Sequence, residues 1–150
     1  MKTVTGDLVQ LALQGEYDLL MQGCNCLNQM GKGLALTLKK TWPAVYKADL
    51  ATTAGDWNKL GTYSKAVLDV NGKPLVVLNC YTQYTYNGEG VLVNYAAVER
   101  CMNQVKQEYS GLKMAMPLLG CGLAKGDWNV VEKLVDNALA GEDLTLVVLP

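Results

Sequence analysis

A chain of 150 residues, half of them hydrophobic and 18% charged, has the balance of one globular domain. At that size folding buries roughly 70% of the unfolded surface, and the composition excludes disorder. Its 13 basic and 14 acidic side chains leave a net charge of −1, which excludes a global field that gathers polyanions and requires any anionic ligand to be captured locally.

A short strand over residues 1–4 leads through Gly6 and Asp7 into an apolar stretch of helical period, Leu8–Leu13, which Gly15 ends. A buried strand over 18–23 then runs into the polar segment Cys24-Asn25-Cys26-Leu27-Asn28 and on to Gly31-Lys32-Gly33. Leu34, Leu38 and Trp42 share one face of the helix that follows. Pro43 interrupts it, and a second helix over 44–54 is expected to end at Gly55. Strands over 62–70 and 74–81 are joined by Asn71-Gly72, a strong hairpin signal, and residues 82–93 read as a loop. Asn94 caps a helix reaching Tyr109. A strand over 112–119 delivers the chain into a second loop, Gly120-Cys121-Gly122-Leu123-Ala124-Lys125-Gly126. Asp127 then caps a helix over 128–139, and a buried strand over 144–149 closes the order. Alternating strands and helices with one hairpin predict a single α/β domain over 1–150, a three-layer αβα arrangement around a mixed β-sheet.

The missing histidine removes a Ser/His/Asp triad, a histidine base and a phosphohistidine. The single arginine, Arg100, has Asn94 six places before it, which removes a Cys-x5-Arg phosphatase loop. Five cysteines are an odd number, and the opening residues lack a secretory leader's apolar middle, so reduced thiols and a cytoplasmic location are expected. No apolar run approaches the ~20 residues of a membrane span. With no histidine and no paired cysteine spacing, no metal is expected, and a monomer without a cofactor or sequence-specific nucleic-acid contacts is the expected state.

Both glycine loops leave a strand and enter a helix, where backbone N–H groups lack partners, so each is a potential phosphate cradle. Together they suit a diphosphate at the carboxyl ends of the strands. Neither is a P-loop or a dinucleotide fingerprint.

These pieces resemble the macro domain superfamily, and within it they are similar to the ADP-ribose-1″-phosphate phosphatase branch, including small phage-encoded members. The matching segments are Gly6-Asp7-Leu8, the run from Gly23 to Ala35, Leu60-Gly61-Thr62-Tyr63, residues 79–84, and Met116-Pro117 through Gly122 to Asp127-Trp128. The resemblance implies that Asp7 accepts a hydrogen bond from the adenine amino group while the Leu8 N–H contacts the ring. Asn25 and Asn28 would lie near the distal ribose. Gly31, Lys32, Gly33 and Leu34 would wrap the diphosphate from one side. Gly120, Cys121, Gly122, Leu123, Ala124 and Lys125 would do so from the other, and Tyr81, Thr82 and Tyr84 would line the cleft.

The implied function is binding of ADP-ribose and hydrolysis of ADP-ribose-1″-phosphate to ADP-ribose and phosphate. The alternatives are a non-catalytic reader of ADP-ribose, free or on protein, and a hydrolase of ADP-ribosyl esters on protein or nucleic acid. Three departures bear on catalysis. Thr82-Gln83-Tyr84 stands where one branch has a lysine, Ala124 stands where it has an aspartate, and Gln22 precedes Gly23 where phosphatase relatives have a histidine in or near the cleft. Asn25, Asn28 and Asp127 remain as catalytic candidates for orienting water, with Lys32 or Lys125 stabilising negative charge. Asp127 is equally well explained as a helix cap.

Overall fold

The computed structural model describes all 150 residues. Its strands are β1 (Lys2–Thr5), β2 (Leu19–Asn25), β3 (Tyr63–Val70), β4 (Lys73–Gln83), β5 (Met114–Met116) and β6 (Leu144–Val148). Its helices are α1 (Leu8–Leu13), α2 (Gly33–Thr41), α3 (Pro43–Leu50), α4 (Tyr95–Tyr109) and α5 (Trp128–Ala138). The strands form one sheet in the order β1-β6-β5-β2-β4-β3, parallel throughout except for the antiparallel β3–β4 hairpin. At the hairpin turn Asn71 and Gly72 both hold positive φ, 54° and 83°, as the Asn-Gly pair requires for a two-residue turn that follows the strand twist.

Successive residues of β2 enter opposite cores, which is why the strand is apolar without alternation. Leu20 and Cys24 pack with Leu8 and Val9 of α1, Leu38 of α2 and Val45 of α3. Leu19 and Met21 pack with Val98 and Met102 of α4 and Val131 and Val135 of α5. The result is a sheet with three helices on one face and two on the other. No helix is long and apolar enough to cross a membrane.

Four local readings differ from the sequence expectation. Helix α3 stops at Leu50 with its cap at Ala51, and Gly55 instead forms a later turn in which its N–H donates to the Cys26 carbonyl at 2.7 Å. Between them and β3 lies an unexpected 3-10 turn, Trp57–Lys59, capped by Asp56. Strand β4 continues through Thr82 and Gln83, because Gln83 pairs with Asn25 of β2 across a bulge and bridges to Val93. Strand β5 is only three residues long, since the chain turns at Pro117, whose carbonyl accepts the Leu119 N–H at 2.7 Å.

Candidate functional site

A cavity of about 650 Å³ opens where β2, β4 and β6 end and the chain leaves β5 through Pro117, a size within the usual range of ligand pockets, ~300–1,000 Å³. Gly31, Lys32, Gly33 and Leu34 form one wall, and Gly120, Gly122, Leu123 and Ala124 form the facing one. In the second loop the N–H groups divide into two sets. Those of Cys121, Lys125 and Gly126 donate to Leu118, Gly122 and Gly120 carbonyls at 3.0, 3.0 and 2.8 Å, and these residues stand off the wall. Those of Gly120, Gly122, Leu123 and Ala124 have no partner in the protein, and all four residues line the cavity. Tied amides shape the loop, and free amides are left for a ligand.

On the opposite wall α2 begins at Gly33, with φ 59° and no side-chain cap, so the first-turn N–H groups of Gly33, Leu34 and Ala35 have no intrahelical acceptor. These residues also line the cavity. The helix start adds a partial positive charge there.

Side chains behind the walls fix both loops. Asn25 accepts from the Leu27 and Gln29 N–H groups at 3.0 and 3.3 Å and donates to the Gln29 carbonyl at 2.9 Å, folding the chain just after β2. Asn28, at φ 56°, donates to the Thr52 carbonyl at 3.0 Å and accepts from buried Lys59 at 2.6 Å. Lys59 also donates to the Cys26 carbonyl at 3.3 Å and lies 4.4 Å above the centre of the Tyr81 ring. The Tyr81 hydroxyl in turn donates to Asp49 at 2.7 Å. Burial raises the Asp49 pKa against the lowering effects of the Tyr81 hydrogen bond and of Lys59. In the second loop, a Cβ on Gly126 would lie 2.5 Å from the Gly120 oxygen and 2.7 Å from Val93, so only glycine allows that closure.

The expected site residues separate clearly. Asn25, Gly31, Lys32, Gly33, Leu34, Gly120, Gly122, Leu123 and Ala124 meet around the cavity. Asn28 and Tyr81 face the buried network behind the first loop. Thr82 is fully buried, with a hydroxyl that has no partner, and Tyr84 turns outward to stack on Trp57. Cys121 and Lys125 stand off the wall, and burial raises the Cys121 pKa, with Asp127 adding to it. Asp7 caps α1 through one carboxylate oxygen, taking the Val9 and Gln10 N–H groups at 3.0 and 3.1 Å, while Leu8 is buried in the core. Asp127 caps α5 by accepting from Asn129 at 2.9 Å.

Sequence reading missed Gln22, Gln83 and Tyr86 on the cavity wall, together with Val147, Val148 and Leu149 at the end of β6. The usable signal was position, since polar residues at the carboxyl ends of parallel strands face the crevice. Gln83 donates to the Thr85 carbonyl at 2.8 Å, which leaves its amide oxygen free. No carboxylate lines the cavity, and burial raises the pKa of the lining thiol, Cys24, well above its ordinary value. The wall is therefore rich in fixed hydrogen-bond donors and poor in titrating groups.

No protein-family model matches the chain. A 17.5 kDa protein of Enterobacteria phage T4, from the tk-vs intergenic region, is 32% identical over 152 residues, covering 97% of this chain and 94% of its own length. The DNA ADP-ribosyl glycohydrolase of Mycobacterium tuberculosis is 27% identical over 150 residues, and the chain spans 41% of that protein. The macrodomain of Mycobacterium tuberculosis DarG superposes with a TM-score of 0.72 at 24% identity, over 99% of this chain and 96% of that one, and so has the same fold. With this sheet order and two facing glycine loops, the chain has the fold of the macrodomains, and it belongs to the same family as the phage T4 protein.

Proposed function

We propose that the cleft binds ADP-ribose and hydrolyses the bond that joins a further group to C1″ of its distal ribose. The observation that carries this reading is the match between free amides and cavity wall. In the second loop the N–H groups without partners belong to the residues that line the cavity, and they face the bare start of α2. Two such surfaces suit the two phosphates of a diphosphate. Adenosine would extend toward Asp7 and the end of β6, and the distal ribose toward Gln22 and Gln83.

ADP-ribose-1″-phosphate is the substrate this wall suits best. Its leaving group departs as phosphate without needing a proton and then takes the proton that the attacking water gives up, so a cleft with no carboxylate can cleave it with donors and an ordered water. The amide oxygen of Gln83, which has no partner in the protein, would hold that water. A second reading, release of ADP-ribose from modified nucleic acid, is supported by the 27% identity with the mycobacterial DNA ADP-ribosyl glycohydrolase.

Calorimetric titration with ADP-ribose tests the binding reading. Phosphate release from ADP-ribose-1″-phosphate, and ADP-ribose release from an ADP-ribosylated oligonucleotide, separate the two reactions. Binding without either release leaves a reader of ADP-ribose, and absence of binding overturns the assignment.

A further inference from the structure

Trp57 is 63% exposed, although it belongs to a tightly capped turn. One face of its indole is covered by Tyr84, with ring centroids 3.5 Å apart and planes 7° from parallel, and the other face is open to solvent. The pair is held rigidly. The Tyr84 hydroxyl donates to the Gly55 carbonyl at 3.2 Å, the Tyr84 carbonyl accepts the Cys26 N–H at 2.9 Å, and Asp56 caps the turn through Asn58 at 2.9 Å. A flat aromatic shelf fixed in advance loses little freedom when a second ring settles on it.

The shelf adjoins the cleft. Tyr84 follows Gln83 directly and precedes Tyr86 by two residues, and both neighbours line the cavity at the end proposed for the distal ribose. Consecutive Cα atoms are ~3.8 Å apart, so the shelf begins within a residue or two of the rim. Its backbone bond to Cys26 also joins it to the first loop. A group carried on the distal ribose and leaving past Gln83 would meet the open indole face.

We propose that the Trp57–Tyr84 shelf is a stacking subsite for an unpaired nucleobase, taking single-stranded nucleic acid whose ADP-ribosyl group occupies the cleft. The stacking itself stands on the shelf alone, and the strand's course from the cleft rests on the second reading above, in which the ADP-ribose is carried on nucleic acid. Stacking on an aromatic face is tolerant of base identity, and a duplex, whose base faces are already covered, would not use it. Because the chain has a net charge of −1, phosphate contacts contribute little and the affinity should depend weakly on salt.

The test uses an eight-nucleotide fluorescein-labelled oligothymidylate, followed by anisotropy with the full chain, Trp57→Ala and Trp57→Phe. Wild type should bind saturably, Trp57→Ala should bind at least about tenfold more weakly, and Trp57→Phe should fall between them. The matching duplex should not bind. Raising salt from about 50 to about 200 mM should change the affinity by less than about threefold, far below what many phosphate contacts produce. ADP-ribose titrated into Trp57→Ala should bind as it does to wild type. The proposal is overturned if the single strand does not bind wild type, if Trp57→Ala binds it equally, or if binding is lost steeply with salt. Oligonucleotide binding without ADP-ribose binding would remove the cleft reading and leave the shelf standing.

Discussion

Lys59 Nζ donates to Asn28 Oδ1 at 2.6 Å, and this buried contact ties the first loop to the sheet behind it. The same ammonium holds the Cys26 carbonyl, and its charge lies over the Tyr81 ring, whose hydroxyl binds Asp49. Lys59→Met leaves Asn28 and Cys26 acceptors short of a donor and Asp49 without its nearby cation. A loss of about 2–4 kcal/mol in unfolding free energy is expected. Denaturant unfolding measures it. Calorimetry on the folded variant should show weaker ADP-ribose binding, because the loop that carries Gly31 and Gly33 is no longer anchored.

Gly126→Ala strikes the second loop without touching a ligand. The added Cβ would meet the Gly120 oxygen at 2.5 Å and Val93 at 2.7 Å, so the closure between residues 120 and 126 must open. The backbone that carries the free amides of Gly122, Leu123 and Ala124 then shifts. ADP-ribose affinity should drop by more than about tenfold, the scale of one or two lost charge-assisted hydrogen bonds, while unfolding free energy changes by about 1–3 kcal/mol. Unchanged binding in a folded variant would count against the amide cradle.

Most of the fold was legible because period and punctuation agreed along the chain. The β3–β4 hairpin rests on Asn71-Gly72, and α4 and α5 begin at Asn94 and Asp127 as their capping chemistry dictates. The cleft was legible as two loops, since glycine before a helix start announces unpaired amides. What escaped was side-chain direction. Asn28 looks like a sugar-binding amide until Lys59, 31 places later, supplies its partner, and that partnership depends on a 3-10 turn with no sequence period of its own. No turn signal at Thr82 or Gln83 marks where β4 ends, and its length is set by pairing with Asn25.

Asp7 has two separable duties to test. Its Oδ1 caps α1, and its second carboxylate oxygen makes no hydrogen bond within the protein. Asp7→Ser keeps a capping oxygen and removes the charge, whereas Asp7→Ala removes both. The alanine variant should lose about 1 kcal/mol of stability and the serine variant little. If the second oxygen receives the adenine amino group, both should weaken ADP-ribose binding to a similar degree in calorimetry. A loss confined to alanine would make Asp7 a cap alone.

Acid sensitivity should concentrate at the junction of α4 and β6. Glu142 accepts from Lys106, from Ser110 and from the Gly111 N–H, and these hydrogen bonds lower its pKa from 4.5 to about 2. A folded pKa below the unfolded one gives stability that is present above pH 4.5 and is lost as pH falls toward 2. Asp18, lowered by the Lys113 N–H and by Lys73, acts in the same direction. Thermal melts of Glu142→Gln should fall below wild type at neutral pH and converge with it near the acid end. A constant difference across that range would contradict the linkage.

The cleft's lack of a titrating base gives the hydrolysis reading a signature in its pH profile. Its wall holds no carboxylate and no histidine, and the pKa of its one thiol, Cys24, is pushed up by burial. Above the second ionisation of the substrate phosphate, near pH 6, the wall then offers no carboxylate or histidine to set a limb in the rate. Phosphate release from ADP-ribose-1″-phosphate should vary by less than about threefold between about pH 7 and 9, where a general base with a pKa in that range would give a tenfold limb per unit. Asp127→Asn, which preserves the cap on α5, should leave the rate unchanged. A steep limb that disappears in Asp127→Asn would instead show that the second loop brings this carboxylate to the substrate.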